Sequence, residues 1–216
     1  MAYNRTIMLP KHHAEITREA LKDWFSDAAM KKIVAANLYQ DRPTAQFGHD
    51  EFHFDNDAFE KGYAYIEEQR ALTMASLRAN GVAAAWAAFG RLTHTAQDFY
   101  AHSNYVDLWL SRQNGALPTP SEIDPVDSTL IDSPALHSGK IYMPLEPLSL
   151  FGPLKPLVMP FLPRDSHAWM NLDSPKQGSK YFFAFHAAVK RTKLEFEKTT
   201  MNMPNELIAT FVDRQR

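Results

Sequence analysis

His94, Asp98 and His102 stand at successive steps of four residues inside a run without proline from Asp57 to Leu117. On an α-helix each such step drifts only about 40° around the axis, so the three side chains share one stripe, a turn apart. Two imidazoles and a carboxylate at that spacing can ligate a divalent cation without bending the backbone. The bland alternative is a solvated helix face, against which Phe99 and Tyr105 flank the stripe. A second arm is offered by the stretch from Gln46 to Asp57, where His53 and Asp55 sit among aromatic and acidic residues. That stretch alternates too tightly for an amphipathic helix and reads as a loop, either a ligand arm or an acidic surface segment. His13 lies at the entrance to the first periodic segment. His167 follows a proline-rich stretch, and His186 shares a helix face with Phe182 and Val189, where a histidine is more often a hydrogen-bonded core residue than a ligand. Nine histidines is a high count for 216 residues, and a metal site would account for the excess.

Composition narrows the classes. Hydrophobic content of 45% and charged content of 22% are globular values, which excludes a disordered chain. The length suits a single domain over residues 1–216 with an irregular insertion at about 113–164. A net charge of −2 gives no electrostatic case for nucleic-acid binding. The absence of cysteine removes disulfides and thiolate metal sites. Met1 to Pro10 lacks the apolar core and cleavage site of a signal peptide. The most apolar region, Ile141 to Pro163, carries six prolines, which excludes a spanning helix. The expectation is a chain made in the cytoplasm as a soluble protein, with peripheral membrane contact or non-classical secretion open to it.

The elements that must position these residues are helical. Lys11 to Phe25 is periodic, with Ile16, Ala20, Leu21, Trp24 and Phe25 on one side. Ser26 is placed to cap a second helix with Ile33 and Val34 inward, ended by Asp41-Arg42-Pro43. Ala58 to Ala79 reads as a helix with Tyr63, Ile66, Leu72 and Leu77 apolar, closed by Asn80-Gly81. Val82 to Leu110 reads as one long helix carrying the stripe, with Trp86, Phe89, Leu92, Phe99 and Trp109 as core. Ten of the fourteen prolines fall between Pro118 and Pro163, where no helical period survives. The apolar part of that insertion, Leu148 to Leu162, could be a flap on the core, an oligomer contact or a lipid-facing surface. A last strong helix from about Ser179 to Thr199 and a short one from Pro204 to Phe211 complete an all-α domain.

The stretch from Leu92 to Val106, LTHTAQDFYAHSNYV, resembles the signature of the heterokaryon-incompatibility protein C family and its bacterial relatives. His13-Ala14-Glu15-Ile16-Thr17, His53-Phe54-Asp55-Asn56 and the segment from His167 to Asp173 resemble further motifs of that family, in the same order. The family is in turn similar to the helical zinc-dependent phospholipases C and single-strand-specific zinc nucleases. This resemblance implies a cluster of two or three Zn²⁺ ions. In it His94 and Asp98 form the His-x-x-x-Asp pair, Asp98 bridges two ions, His53 shares their metal and His13 serves a further one. His102 binds the remaining ion together with His167 or His186. Those enzymes carry an acid four residues after their later histidine, whereas Asn171 follows His167 and Lys190 follows His186.

The chemistry implied is phosphodiester hydrolysis by metal-bound hydroxide, with Asp98 and Asp55 as catalytic residues and Asp55 orienting or deprotonating the water. Gln97, Asn104 and Asp173 are candidates to fix imidazole tautomers. The favoured expectation is an enzyme, a phospholipase C acting on phospholipid at a membrane surface, with possible homo-oligomers through the apolar insertion. A single-strand nuclease and a non-catalytic, toxin-like membrane or partner-binding module with structural metals are the alternatives.

Overall fold

Helix α6 (Val82–His102) is the axis of the molecule, and every residue from Leu92 to Ser103 on it is buried. The structure, a computed structural model, describes residues 10–46, 48–113, 115, 117–149 and 153–214. About 69% of it is helical, with no strand among the described residues, so the fold is all-α as the periodicity implies. Residues 1–9, where a signal peptide was sought, lie outside the described residues, as do Phe47 of the His-rich stretch and Leu150, Phe151 and Gly152 of the apolar insertion.

The most extensive packing on α6 is by α2 (Asp27–Tyr39), α5 (Phe59–Arg78) and α12 (Lys180–Thr200). Helix α1 (Pro10–Leu21) lies against α2 and α12, and α13 (Asn205–Val212) against α5 and α6. Ser26 caps α2 as its position suggested, its Oγ accepting the Ala29 N–H at 3.1 Å. Gly90 lets α2 approach α6 closely, since a Cβ there would lie 2.4 Å from the Ile33 carbonyl oxygen. Phe25, Phe89, Phe196 and Phe211 pack as an aromatic cluster, Phe25 stacked on Phe89 and edge to face with Phe196 and Phe211. No helix among the described residues is long and apolar enough to cross a membrane.

Three expectations are corrected by packing. The long helix breaks at Ser103 and Asn104, leaving α7 (Tyr105–Ser111) as a separate element. Ser103 is extended there and bridges Ser138, so a returning strand of chain, not a glycine or proline, ends the helix. In α5 the buried stripe is Ile66, Gln69, Thr73 and Leu77, which leaves Leu72 on the exposed side. The His-rich stretch is not an open loop: α3 (Pro43–Gln46), α4 (Asp50–His53) and a 3-10 turn (Asp55–Asp57) fold it into short helical pieces.

The proline-rich region likewise contains short helices that its composition hid. They are α8 (Ser128–Ile131), α9 (Leu145–Ser149), α10 (Lys155–Val158) and α11 (His167–Met170). Its first part joins the main core through Ile123 and Leu130. Its second part has a small apolar cluster of its own, Val158, Leu162 and Ala168, with Leu157 and Phe161 left exposed.

Candidate metal centre

The C-terminal half of α6 presents His94, Asp98 and His102 inward, and other segments bring histidines and carboxylates to meet them. Around Asp98 the donors crowd. His53 Nδ1 lies 2.8 Å and His94 Nε2 3.0 Å from Asp98 Oδ2, and the two ring nitrogens are 3.2 Å apart. A tetrahedral zinc with ligand bonds of ~2.0–2.1 Å sets its donor atoms about 3.3 Å apart. The triangle observed is therefore a slightly contracted face of such a shell. On the other carboxylate oxygen, His13 Nε2 faces Asp98 Oδ1 at 3.1 Å, and neither atom has a hydrogen-bond partner. Asp41, at the end of α2, places Oδ1 3.7 Å from His94 Nε2 while its own Oδ2 is buried and unpartnered.

His13 owes its orientation to Gln97. The His13 Nδ1–H donates to Gln97 Oε1 at 2.7 Å, which leaves Nε2 aimed at Asp98. The amide of Gln97 is held in turn, donating to Thr17 and Thr192 and accepting from Asn37. A ligand imidazole with its second nitrogen tied to a buried oxygen is the arrangement that fixes tautomer in metal sites.

A second group forms one turn further along α6. Asp55 Oδ1 accepts from His167 Nδ1 at 2.8 Å, and His102 Nε2 lies 3.3 Å from Asp173 Oδ1. The His102 Nδ1–H donates to the His53 carbonyl at 3.0 Å, which again frees Nε2. Ligand atoms of Asp55, His102 and His167 lie within 4.8 Å of one another, as do those of His53, His94 and Asp98, and those of His13, Asp41 and His94.

The segment that carries His53 and Asp55 is bent by three non-glycine residues of positive φ, Phe54, Asn56 and Asp57. Phe54 and Asn56 have φ of 57° and 54°, a conformation that costs L-residues ~1–2 kcal/mol. Phe54 is held there because its ring is buried against Phe59, Tyr63 and Phe99 and lies over Gly62. His53 and Asp55, on either side of it, consequently both reach α6.

Electrostatics follow from these contacts. Burial pushes His13 down, but the Asp98 carboxylate, with Asp41 and Gln97, outweighs it and lifts the imidazole to about 9. Burial likewise opposes charge on His53 and His102, and Asp98 leads the carboxylates that raise both. His94 goes the other way: burial, joined by the charge of His13, lowers it against the pull of Asp98. Burial favours a neutral Asp98 and Asp55, yet the surrounding imidazoles hold both carboxyl groups below the usual range.

Of the residues expected at the site, the structure brings together His13, His53, Asp55, His94, Asp98, His102 and His167. His186 stands apart, half-buried on α12 beside Phe185 and in none of the three groups. The buried stripe of α12 runs through Ala184, Ala187, Ala188 and Arg191, so His186 falls on its rim. Asn104 does not orient a ligand; it binds Ala135 O and His137. Asp41 was missed because Asp-Arg-Pro after a helix reads as a terminator, and Asp173 was placed behind the ligands although its carboxylate meets His102 directly.

The family model that matches the chain is that of the VWA7 N-terminal domain, over residues 12–127. The chain belongs to the VWA7 N-terminal domain family. The von Willebrand factor A domain-containing protein 7 of Rattus norvegicus is 33% identical over 81 residues, 38% of this chain. The match spans 9% of that relative's length. No solved structure matches. Membership in this family overturns the resemblance to heterokaryon-incompatibility protein C and the zinc phospholipases, and with it the expected phospholipase C, nuclease, hydrolase and toxin-like readings. The misleading signal has a physical origin. His-x-x-x-Asp-x-x-x-His places three donors on any helix face, whatever the bound ion is for. His13, His53 and His94 are 0% and Asp98 1% exposed. A cleft of about 750 Å³ lined by Ser103, Asn104, His137, Asn171, Leu172 and Lys180 among others has none of the ligand candidates in its lining.

Proposed function

We propose that this VWA7 N-terminal domain is a non-catalytic zinc-binding module whose buried ions hold the helices in fixed relation. The observation that carries the reading is the pair of buried, unpartnered atoms His13 Nε2 and Asp98 Oδ1, facing each other beside the His53–His94–Asp98 triangle. With its Nδ1–H given to Gln97, a neutral His13 turns the Nε2 lone pair toward the lone pairs of Asp98 Oδ1, an apposition that a proton or a cation must bridge. Imidazole and carboxylate donors without thiolate suit zinc. The charge also balances with two ions: Asp41 and Asp98 neutralise one divalent cation, Asp55 and Asp173 a second.

Metal analysis of the purified chain tests this. Two equivalents of zinc are expected, removable by chelator. Zinc at about 100 times its dissociation constant should stabilise the fold by ~2.7 kcal/mol. Protein that takes up no zinc at micromolar concentrations, with an unchanged melting temperature, overturns the reading.

A further inference from the structure

The apolar, proline-rich segment is fastened to the bundle at one place. Its incoming chain donates Gly139 N–H to the His102 carbonyl at 2.8 Å and its outgoing chain donates Leu172 N–H to Ala101 at 2.8 Å. Between those two points the described residues 140–149 and 153–171 share no apolar core with the helices. Their only buried apolar side chains are Val158, Leu162 and Ala168, a cluster separate from the main one. What joins the two bodies is polar and buried. Asp55 and His102 come from the bundle, His167 from the segment, and Asp173 from the chain just past the outgoing anchor at Leu172. Gly139 leaves just enough room for this: a Cβ there would lie 2.6 Å from His167 Cα. Asp173 Oδ1 is buried with no hydrogen-bond partner. Glu146 of α9 adds to the imbalance, since its Oε1 accepts from Ala168 N–H while Oε2 is buried and unpartnered.

We propose that a cation bound by Asp55, His102, His167 and Asp173 staples the proline-rich segment to the helical bundle, so that divalent-metal supply sets whether the segment is docked. Asp173, whose Oδ1 lies 3.3 Å from His102 Nε2, is assigned as a fourth ligand beside the Asp55–His102–His167 group, giving two imidazoles and two carboxylates, the composition of a structural site. The proposal rests on the zinc-binding reading and assigns that ion's role. Without a cation the buried Asp55 and Asp173 carboxylates have only the imidazoles of His167 and His102 to offset them, and three apolar side chains are too few to outweigh the desolvation of that ionised set and the lost chain entropy. The bundle keeps its large core either way.

Hydrogen exchange on the full chain, with zinc and with chelator, tests it, beside zinc stoichiometry. Zinc should slow exchange in residues 141–149 and 153–170 by at least about tenfold while α5 and α12 change little. Asp173→Asn should bind one equivalent fewer and show the fast-exchanging segment even with zinc. If wild-type protein binds two equivalents and the segment exchanges alike with and without them, the staple is wrong and zinc binding stands. If Asp173→Asn keeps both ions and full protection, the fourth ligand is misassigned and the proposal falls. If the wild type binds no zinc, both readings fail together. Should Asp173→Asn not fold, the chelator comparison on wild type decides alone.

Discussion

Gly90→Ala puts a methyl group where α2 and α6 touch. The new Cβ would stand 2.4 Å from Ile33 O, 2.8 Å from Ala36 Cβ and 3.1 Å from Asn37 N. Ordinary contact is ~3.5 Å, so α2 must retreat by about 1 Å, and the carbonyl that blocks the methyl cannot rotate aside as a side chain would. Overpacking of this kind costs ~1–3 kcal/mol, and a rigid backbone obstacle belongs at the upper end. Replacing glycine by alanine inside a helix returns about 1 kcal/mol. A net loss of about 2 kcal/mol remains, which for a chain of this length lowers the melting temperature by about 4–8 °C. The same retreat should reach the metal centre. Helix α2 carries Asn37, 3.3 Å from the Gln97 oxygen that orients His13, and ends next to Asp41. Loss of such a support costs metal affinity about 10–100-fold. Thermal melts of chelated protein and calorimetric zinc titration measure the two effects separately. A melting temperature at or above wild type would mean that helix propensity alone decides and that the seam is looser than described.

Other perturbations separate the parts of the site. Gln97→Leu keeps volume but strips His13, Thr17, Thr192 and Asn37 of a partner. It should weaken zinc binding about 10–100-fold by titration, and unchanged affinity would remove Gln97 from the orienting role. Gly62→Ala drives a Cβ to 2.5 Å from the Phe54 ring, so the His53–Asp55 loop should shift and both ions should bind less tightly. Equal zinc affinity would refute that linkage. Glu195→Ala leaves Arg191 and Arg70 without their shared buried carboxylate and should cost about 3–5 kcal/mol in denaturant unfolding, with zinc stoichiometry unaltered. In chelated protein His13 is raised to about 9, so its contribution to stability is complete below its unfolded value of about 6.5 and fades as pH rises through about 9. A metal-free protein whose stability is flat across that window contradicts the His13–Asp98 pairing.

The ligand stripe and the helices around it were legible because each is a local, periodic signal. Ser26 as a cap, Ile33 and Val34 inward and the His94–Asp98–His102 step need only the geometry of one helix. What stayed hidden depended on other segments. The break at Ser103 is made by chain returning at Ser138. The left-handed Phe54 is held by aromatic rings on α5 and α6. Asp41 and Asp173 become candidate ligands through what they meet across the fold, and a sequence shows only what precedes and follows them. Arg191 and Glu195, four residues apart on α12, are both buried, and Arg70 reaches Glu195 from α5, a partner that their spacing on one helix does not show.

The same distinction explains why chemistry was the weakest inference. Ligand spacing reports that donors can converge on an ion, and the convergence around Asp98 is real enough to leave atoms orphaned without one. Whether an ion turns over a substrate depends on a vacant coordination position with access from solvent, and no residue motif encodes that. Here the donors nearest Asp98, from α1, α4 and α6, are buried, and so are Asp55, His102, His167 and Asp173 of the second group. A metal bound so deep would have little to offer a substrate and much to offer the fold. It would join segments distant in sequence, His13 to Asp98 and Asp55 to Asp173.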